Sequence, residues 1–129
     1  YLQHYGRDNR QLAGIIGLAG PYDFLPLESE RLRQIFATAE QRRDSQPVNF
    51  ADASDPPVLL AHGDRDQRVW LRNSLNMTRK LRQAGGDVTL RVYPGVGHAG
   101  LIKPFIALVN DDSGLVEEIL AFIAARSAQ

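Results

Sequence analysis

Apolar positions along the chain fall into three short runs, each closed by turn-forming residues. Residues 14–19 (Gly-Ile-Ile-Gly-Leu-Ala) end on Gly20-Pro21. Residues 58–62 (Val-Leu-Leu-Ala-His) follow Pro56-Pro57 and stop at Gly63-Asp64. Residues 88–93 (Val-Thr-Leu-Arg-Val-Tyr) emerge from Gly85-Gly86-Asp87 and end on Pro94-Gly95. Runs of this length bounded by Gly and Pro predict strands. The first two lack a period-2 alternation, as expected of strands covered on both faces of a parallel sheet; the third alternates and suits a place nearer an edge.

Between the runs the spacing turns helical. Residues 28–41 carry Leu32, Ile35, Phe36 and Ala39 at near-helical intervals. Residues 70–84 place Leu71, Leu75, Thr78 and Leu81 along one side, with Gly85 as a stop. Residues 114–125 present a broad apolar stripe of Leu115, Val116, Ile119, Leu120, Phe122 and Ile123. Asp112 and Ser113 are candidate N-caps there, and Glu117 and Glu118 suit the helix dipole. The polar, Pro-interrupted stretch 41–57 reads as a surface loop. Strand and helix alternate three times, the grammar of an α/β fold built on a parallel sheet with flanking helices, and residues 1–129 form a single α/β unit. Leu27, Ile35 and Phe36 are expected in the core.

Composition narrows the function classes. With 129 residues the chain is one domain or part of one. Fifteen Lys+Arg balance fifteen Asp+Glu, so charge gives no reason to expect a nucleic acid partner or an anionic membrane surface. No apolar run approaches the roughly 20 residues of a membrane-spanning helix. The lack of Cys excludes disulfides, thiolate metal sites and cysteine nucleophiles, and leaves the compartment open. The first residue is Tyr1 and no leader pattern follows, so the chain is expected to begin inside a longer polypeptide.

Parallel sheets collect functional groups beyond the carboxyl ends of their strands. Asp23 follows the first run, His62, Asp64 and Asp66 the second, and His98 the third. If the strands are neighbours, Asp66 and His98 share one sheet edge, where a carboxylate can orient an imidazole for general-base work on a hydroxyl nucleophile. Asp64 reads as a turn-former, His62 as a strand-end residue with a local hydrogen bond, and His4 as a surface residue. His98 could equally be a solvated turn residue, and Asp66 a structural turn acceptor. His62, Asp64, Asp66 and His98 could also be metal ligands, but no accepted ligand spacing is matched, and neither a metal nor a cofactor is expected. Phe24 and Trp70 are candidate pocket walls. Arg79, Lys80 and Arg82 read as a solvated helix face.

The segment Pro-Val-Leu-Leu-Ala-His-Gly-Asp-Arg-Asp66-Gln-Arg-Val69, followed by a helix and then by Val-Tyr-Pro-Gly-Val-Gly-His98, resembles the C-terminal part of α/β-hydrolase carboxylesterases and lipases. Gly17-Leu-Ala-Gly-Pro-Tyr-Asp-Phe24 and Gln46-Pro-Val-Asn49 are similar to the branch of hormone-sensitive lipase and bacterial feruloyl-type esterases. The resemblance implies about three strands of that fold, its C-terminal half. It also implies Asp66 as the triad acid, His98 as the general base, Asp23 as a reserve acid or, more in keeping with the family pattern, a structural residue at the pocket wall, and a small-molecule ester as substrate of the complete enzyme. None of the serines lies in a G-x-S-x-G context, and no H-G-G-G oxyanion element is present. The chain alone is therefore expected to be inactive, serving either as part of a serine esterase or, alternatively, as a non-catalytic assembly module. The strand near Gly14 would then be an exposed edge, expected to pair with a second copy in a homodimer or to be covered by the N-terminal segment.

Overall fold

A computed structural model describes residues 11–106 and 113–127. Three parallel strands, β1 (Ile15–Leu18), β2 (Val58–Gly63) and β3 (Val88–Tyr93), form one sheet in the order β1-β2-β3. Pairing runs from Ile15↔Val58 to Leu18↔Ala61 and from Val58↔Val88 to Gly63↔Tyr93. The carboxyl ends of all three strands are thereby aligned along one edge of the sheet.

The central strand explains its own uninterrupted apolar sequence. Successive side chains point to opposite faces. On one face Leu59 and Ala61 join Ala19, Tyr93, Leu101, Leu115 and Ile119. On the other, Val58 and Leu60 join Ala51 and Leu81, with Tyr22, Met77, Val88 and Leu90 packed alongside. Burying each of the larger of these side chains contributes about 1.5–3 kcal/mol. Helix α5 (Leu115–Ser127) covers the first face and α3 (Arg72–Ala84) the second. Glu118 ties α5 to β3, accepting from Arg91 Nε and Tyr93 Oη, each at 2.9 Å.

Helix α3 ends on Gly85 at φ +85°, a left-handed C-cap. Its inward residues are Asn73, Ser74, Thr78 and Leu81. Leu75, which the periodicity places on the apolar side, is exposed. Arg79, Lys80 and Arg82 are solvated, as expected. The stripe on α5 is only half covered: Leu115 and Ile119 are buried, while Leu120 and Ile123 are exposed. Ser113 Oγ accepts from Leu115 N at 3.3 Å, whereas Asp112 and His4 lie outside the described residues. Following β3, the chain makes a 3-10 turn at His98–Leu101 and the short α4 (Lys103–Ile106).

The crossover from β1 to β2 differs most from the sequence expectation. The single helix expected over 28–41 is two short ones, α1 (Glu30–Ile35) and α2 (Ala39–Asp44). Thr38 is the reason. Its hydroxyl accepts from Gln41 N and its own N–H donates to Gln41 Oε1, each at 3.0 Å, a capping box that starts a new helix. Neither helix buries a residue. Ile35, expected in the core, is exposed; Phe36 is half-buried against Phe24, and Leu27 alone of the three is buried. The stretch 41–57 is not a plain surface loop. It contains a 3-10 turn at Pro47–Phe50, and Gln46 is buried with Oε1 accepting from Phe24 N at 2.7 Å.

Candidate active site

Beyond β2 and β3 two loops are fastened to each other before any chemistry is considered. Asp64 N donates to Tyr93 O at 3.2 Å, Arg65 N to Val96 O at 3.1 Å, and Gly95 N to Asp64 Oδ1 at 2.7 Å. Asp64 thus does more than form a turn; it clamps one loop to the other. Gly63 makes the close approach possible, because a Cβ there would collide with the Val96 carbonyl. Gly95 supplies the left-handed corner at φ +76°.

On this base Asp66 and His98 meet. His98 Nδ1 lies 2.7 Å from Asp66 Oδ2. The carboxylate has no solvent-exposed surface, whereas the imidazole is 31% exposed. Asp66 Oδ1 accepts from the backbone N–H groups of Arg68 and Val69, each at 2.9 Å. Burial pushes the Asp66 carboxyl upward, but the bonds from Val69 N, His98 and Arg68 N, with the charge of His98, outweigh it and hold it below the usual carboxylate range. An ionised Asp66 can only accept, so His98 Nδ1 carries the proton of that bond. In the neutral imidazole the Nε2 lone pair is then available, and among the described residues it has no partner. Such an imidazole can take a proton from a hydroxyl and return it to a leaving group.

A second histidine stands behind the acid. His62 is fully buried. Its Nδ1 is 2.7 Å from Ser74 Oγ and its Nε2 2.8 Å from Val69 O. The same Nε2 lies 3.5 Å from Asp66 Oδ2. The sequence placed His62 at a strand end with a local hydrogen bond; Ser74 was missed. Its inward position two residues into α3 is the signal that a helical wheel drawn for polar as well as apolar residues would have shown.

Asp23 takes no part in this pair. Its Oδ2 accepts from Asn76 Nδ2 at 2.7 Å and its N–H donates to Asn73 Oδ1 at 2.8 Å, so it fastens the β1 loop to α3. Its carboxylate is thereby held against α3. Phe24 and Trp70 do come together. They line one cleft of about 260 Å³ with Pro21, Leu27, Val69 and Asn73, and Trp70 remains 60% exposed. The cleft borders the acid turn through Arg68 and Val69 but does not include His98. Among the described residues no group of three or more His, Asp or Glu could hold a metal ion, and no helix is long and apolar enough to cross a membrane.

The parallel sheet, its flanking helices and the loops at its carboxyl edge define an α/β-hydrolase fold. A truncated form of a carbohydrate esterase from gut microbiota superposes with TM-score 0.72 at 20% identity, covering 92% of this chain and 44% of that one. Thermogutta terrifontis esterase 2 superposes with TM-score 0.62 at 20% identity, covering 89% and 40%. The chain belongs to the prolyl oligopeptidase family, whose model matches residues 21–127. Over 62 residues it is 37% identical to the monoacylglycerol lipase of Mycolicibacterium smegmatis and 31% identical to dipeptidyl-peptidase 5 of Porphyromonas endodontalis. Each match covers 48% of this chain, but only 21% and 9% of those proteins. The esterase and lipase resemblance read from the sequence holds at the level of the hydrolase class.

Proposed function

We propose that Asp66 and His98 are the acid and the general base of a serine carboxylic-ester hydrolase. The reaction runs through an acyl-serine intermediate, and the nucleophile comes from polypeptide outside these 129 residues. The supporting observation is the 2.7 Å contact between His98 Nδ1 and the buried Asp66 Oδ2 at adjacent strand tips. His98 Nε2 takes the serine proton as the hydroxyl attacks the ester carbonyl. It then gives a proton to the departing alcohol, and in the second half-reaction activates water against the acyl-enzyme. Asp66 fixes the tautomer and stabilises the imidazolium. Phe24 and Trp70 wall the side of the pocket next to the acid turn. By itself the chain is inactive, because its sequence holds neither a serine in a G-x-S-x-G turn nor an H-G-G-G oxyanion element. The test is hydrolysis of a short-chain aryl ester by the full-length enzyme and its His98→Ala variant. Loss of nearly all turnover supports the assignment, and equal activity refutes it.

The edge of β1 favours an additional reading, the assembly module. Among the described residues β1 has a strand neighbour on one side only, Ile15 is exposed, and Ile15 and Gly17 also line an apolar cleft of about 320 Å³ on the sheet face toward α3, with Leu60 and Met77. Unpaired apolar edges recruit strands, and a second copy of this chain can supply one. Sedimentation should show a dimer with slow amide exchange over residues 15–18. A monomer whose β1 amides exchange freely rules the dimer out.

A further inference from the structure

We infer that His62 is a positioning residue for the acid, acting through Val69 and through the Asp66 carboxylate itself; this rests on the reading of Asp66 and His98 as an acid–base pair. Four residues within one short segment make the device. Val69 is held on both sides: its N–H donates to Asp66 Oδ1 at 2.9 Å, and its carbonyl accepts from His62 Nε2 at 2.8 Å. The imidazole is held in turn by Ser74 of α3 at 2.7 Å. The strut therefore runs from α3 through Ser74 and His62 to the acid turn, with His62 and Ser74 both completely buried.

The hydrogen positions follow from what each atom can do. Val69 O can only accept, so His62 Nε2 carries a proton. With that proton in place, a Ser74 hydroxyl donating to Nδ1 fixes the Nε2–H tautomer, the logic by which the second partner of a histidine sets the face it presents. The 3.5 Å approach of Nε2 to Asp66 Oδ2 is too long for a good hydrogen bond and is an electrostatic contact. It nevertheless puts a donor on the flank of the one oxygen that faces His98. Oδ1 is held by two amides and Oδ2 lies between two imidazoles, so rotation of the carboxylate would break contacts at both ends. Misplacing an orienting group by about 1 Å can cost on the order of 10²-fold in rate, and this strut opposes such a displacement.

The measurement is the far-downfield Nδ1–H proton resonance of His98 in its bond to Asp66, read by NMR on this chain and assigned by its loss in His98→Ala. A wild-type chain without that resonance refutes the acid–base reading itself, and the strut with it. Where the wild type shows it, His62→Leu should abolish the resonance while the far-UV circular dichroism stays native. His62→Gln should retain it, since the glutamine amide can donate to Val69 O and accept from Ser74. In the full-length enzyme the same pair should separate kcat from KM: about 10²-fold lower kcat in His62→Leu at unchanged KM, and recovery to within about tenfold in His62→Gln. A folded His62→Leu chain that keeps the resonance overturns the inference. So does its loss in both variants, because glutamine restores both hydrogen bonds. If His62→Leu does not fold, Ser74→Ala decides: the resonance should shift or broaden once the tautomer is released, and an unchanged signal overturns the proposal.

Discussion

Replacing Asp66 by Asn keeps the shape of the side chain and changes one hydrogen-bonding atom, so its consequences can be worked out contact by contact. The amide oxygen must occupy the Oδ1 position, because two backbone N–H groups, of Arg68 and Val69, point at it. The NH2 group then sits where Oδ2 was, facing His98 Nδ1 and His62 Nε2. A donor now opposes His62 Nε2–H, and His98 must turn Nδ1 into an acceptor and move its proton to Nε2, the tautomer that cannot act as a base. Losing a charge-assisted bond costs about 1.5–3 kcal/mol, and donor facing donor adds more, so about 3 kcal/mol at pH 7 is expected from urea unfolding. The pH dependence gives the sharper check. The Asp66 carboxyl is held below its usual range in the folded chain. Its stabilising contribution is therefore fully present above the unfolded value of about 3.9, and is lost as the pH falls through the lower folded value. The gap between Asp66→Asn and wild type should narrow below about pH 4, where the wild-type side chain becomes a neutral acid. A gap that persists unchanged to pH 3, or one under about 1 kcal/mol at pH 7, refutes this account of what holds the carboxylate. In the full-length enzyme the same substitution should lower kcat by about 10⁴-fold through the wrong tautomer.

Two further substitutions separate the site from its scaffold. Gly63→Ala drives a Cβ into the Val96 carbonyl; overpacking and the strained Arg65 N–Val96 O bond should cost about 1–3 kcal/mol, and the His98 Nδ1–H resonance should be lost. Leu60→Ala, at a position 2% exposed on the α3 face, should cost about 2–5 kcal/mol in urea unfolding while leaving that resonance in place under native conditions.

The parts of the fold legible in the sequence were those where one local signal had no competitor. β2 and β3 stand where the apolar runs are bounded by Gly and Pro, and α3 stops at Gly85 because only that residue takes the left-handed cap cheaply. The meeting of Asp66 and His98 was legible because parallel strands bring their carboxyl ends together whatever lies between them. The crossover 21–57 was not. Its apolar residues have helical spacing over 28–41, yet Thr38 and Gln41 satisfy each other and break the helix, and Ile35 finds no face to bury against. Periodicity alone cannot weigh a capping box against a stripe. The partner of Asp23 was not legible for a related reason: Asn76 lies on α3, and nothing local announces a contact 53 residues away.

His62, Ser74 and Asp64 show why polar residues in such an edge resist a reading based on loops and turns. Each is spent on holding backbone: His62 on the Val69 carbonyl, Ser74 on His62, Asp64 on the Gly95 N–H. The bonds that fix Asp66 against His98 all lie between residues 62 and 98, on β2, α3, β3 and the loops joining them. The described part of the chain outside that span supports it from behind, by packing, as Leu101 and Leu115 do beneath β2 and β3, and by the hydrogen bonds of Asp23 to α3 and of Glu118 to β3. It follows that the orientation of the imidazole is a property of this α/β unit and does not wait for a hydroxyl to arrive. If the pair acts as proposed, an imidazole set in advance is what electrostatic preorganisation requires, because side chains already ordered need no reorganisation at the moment of reaction.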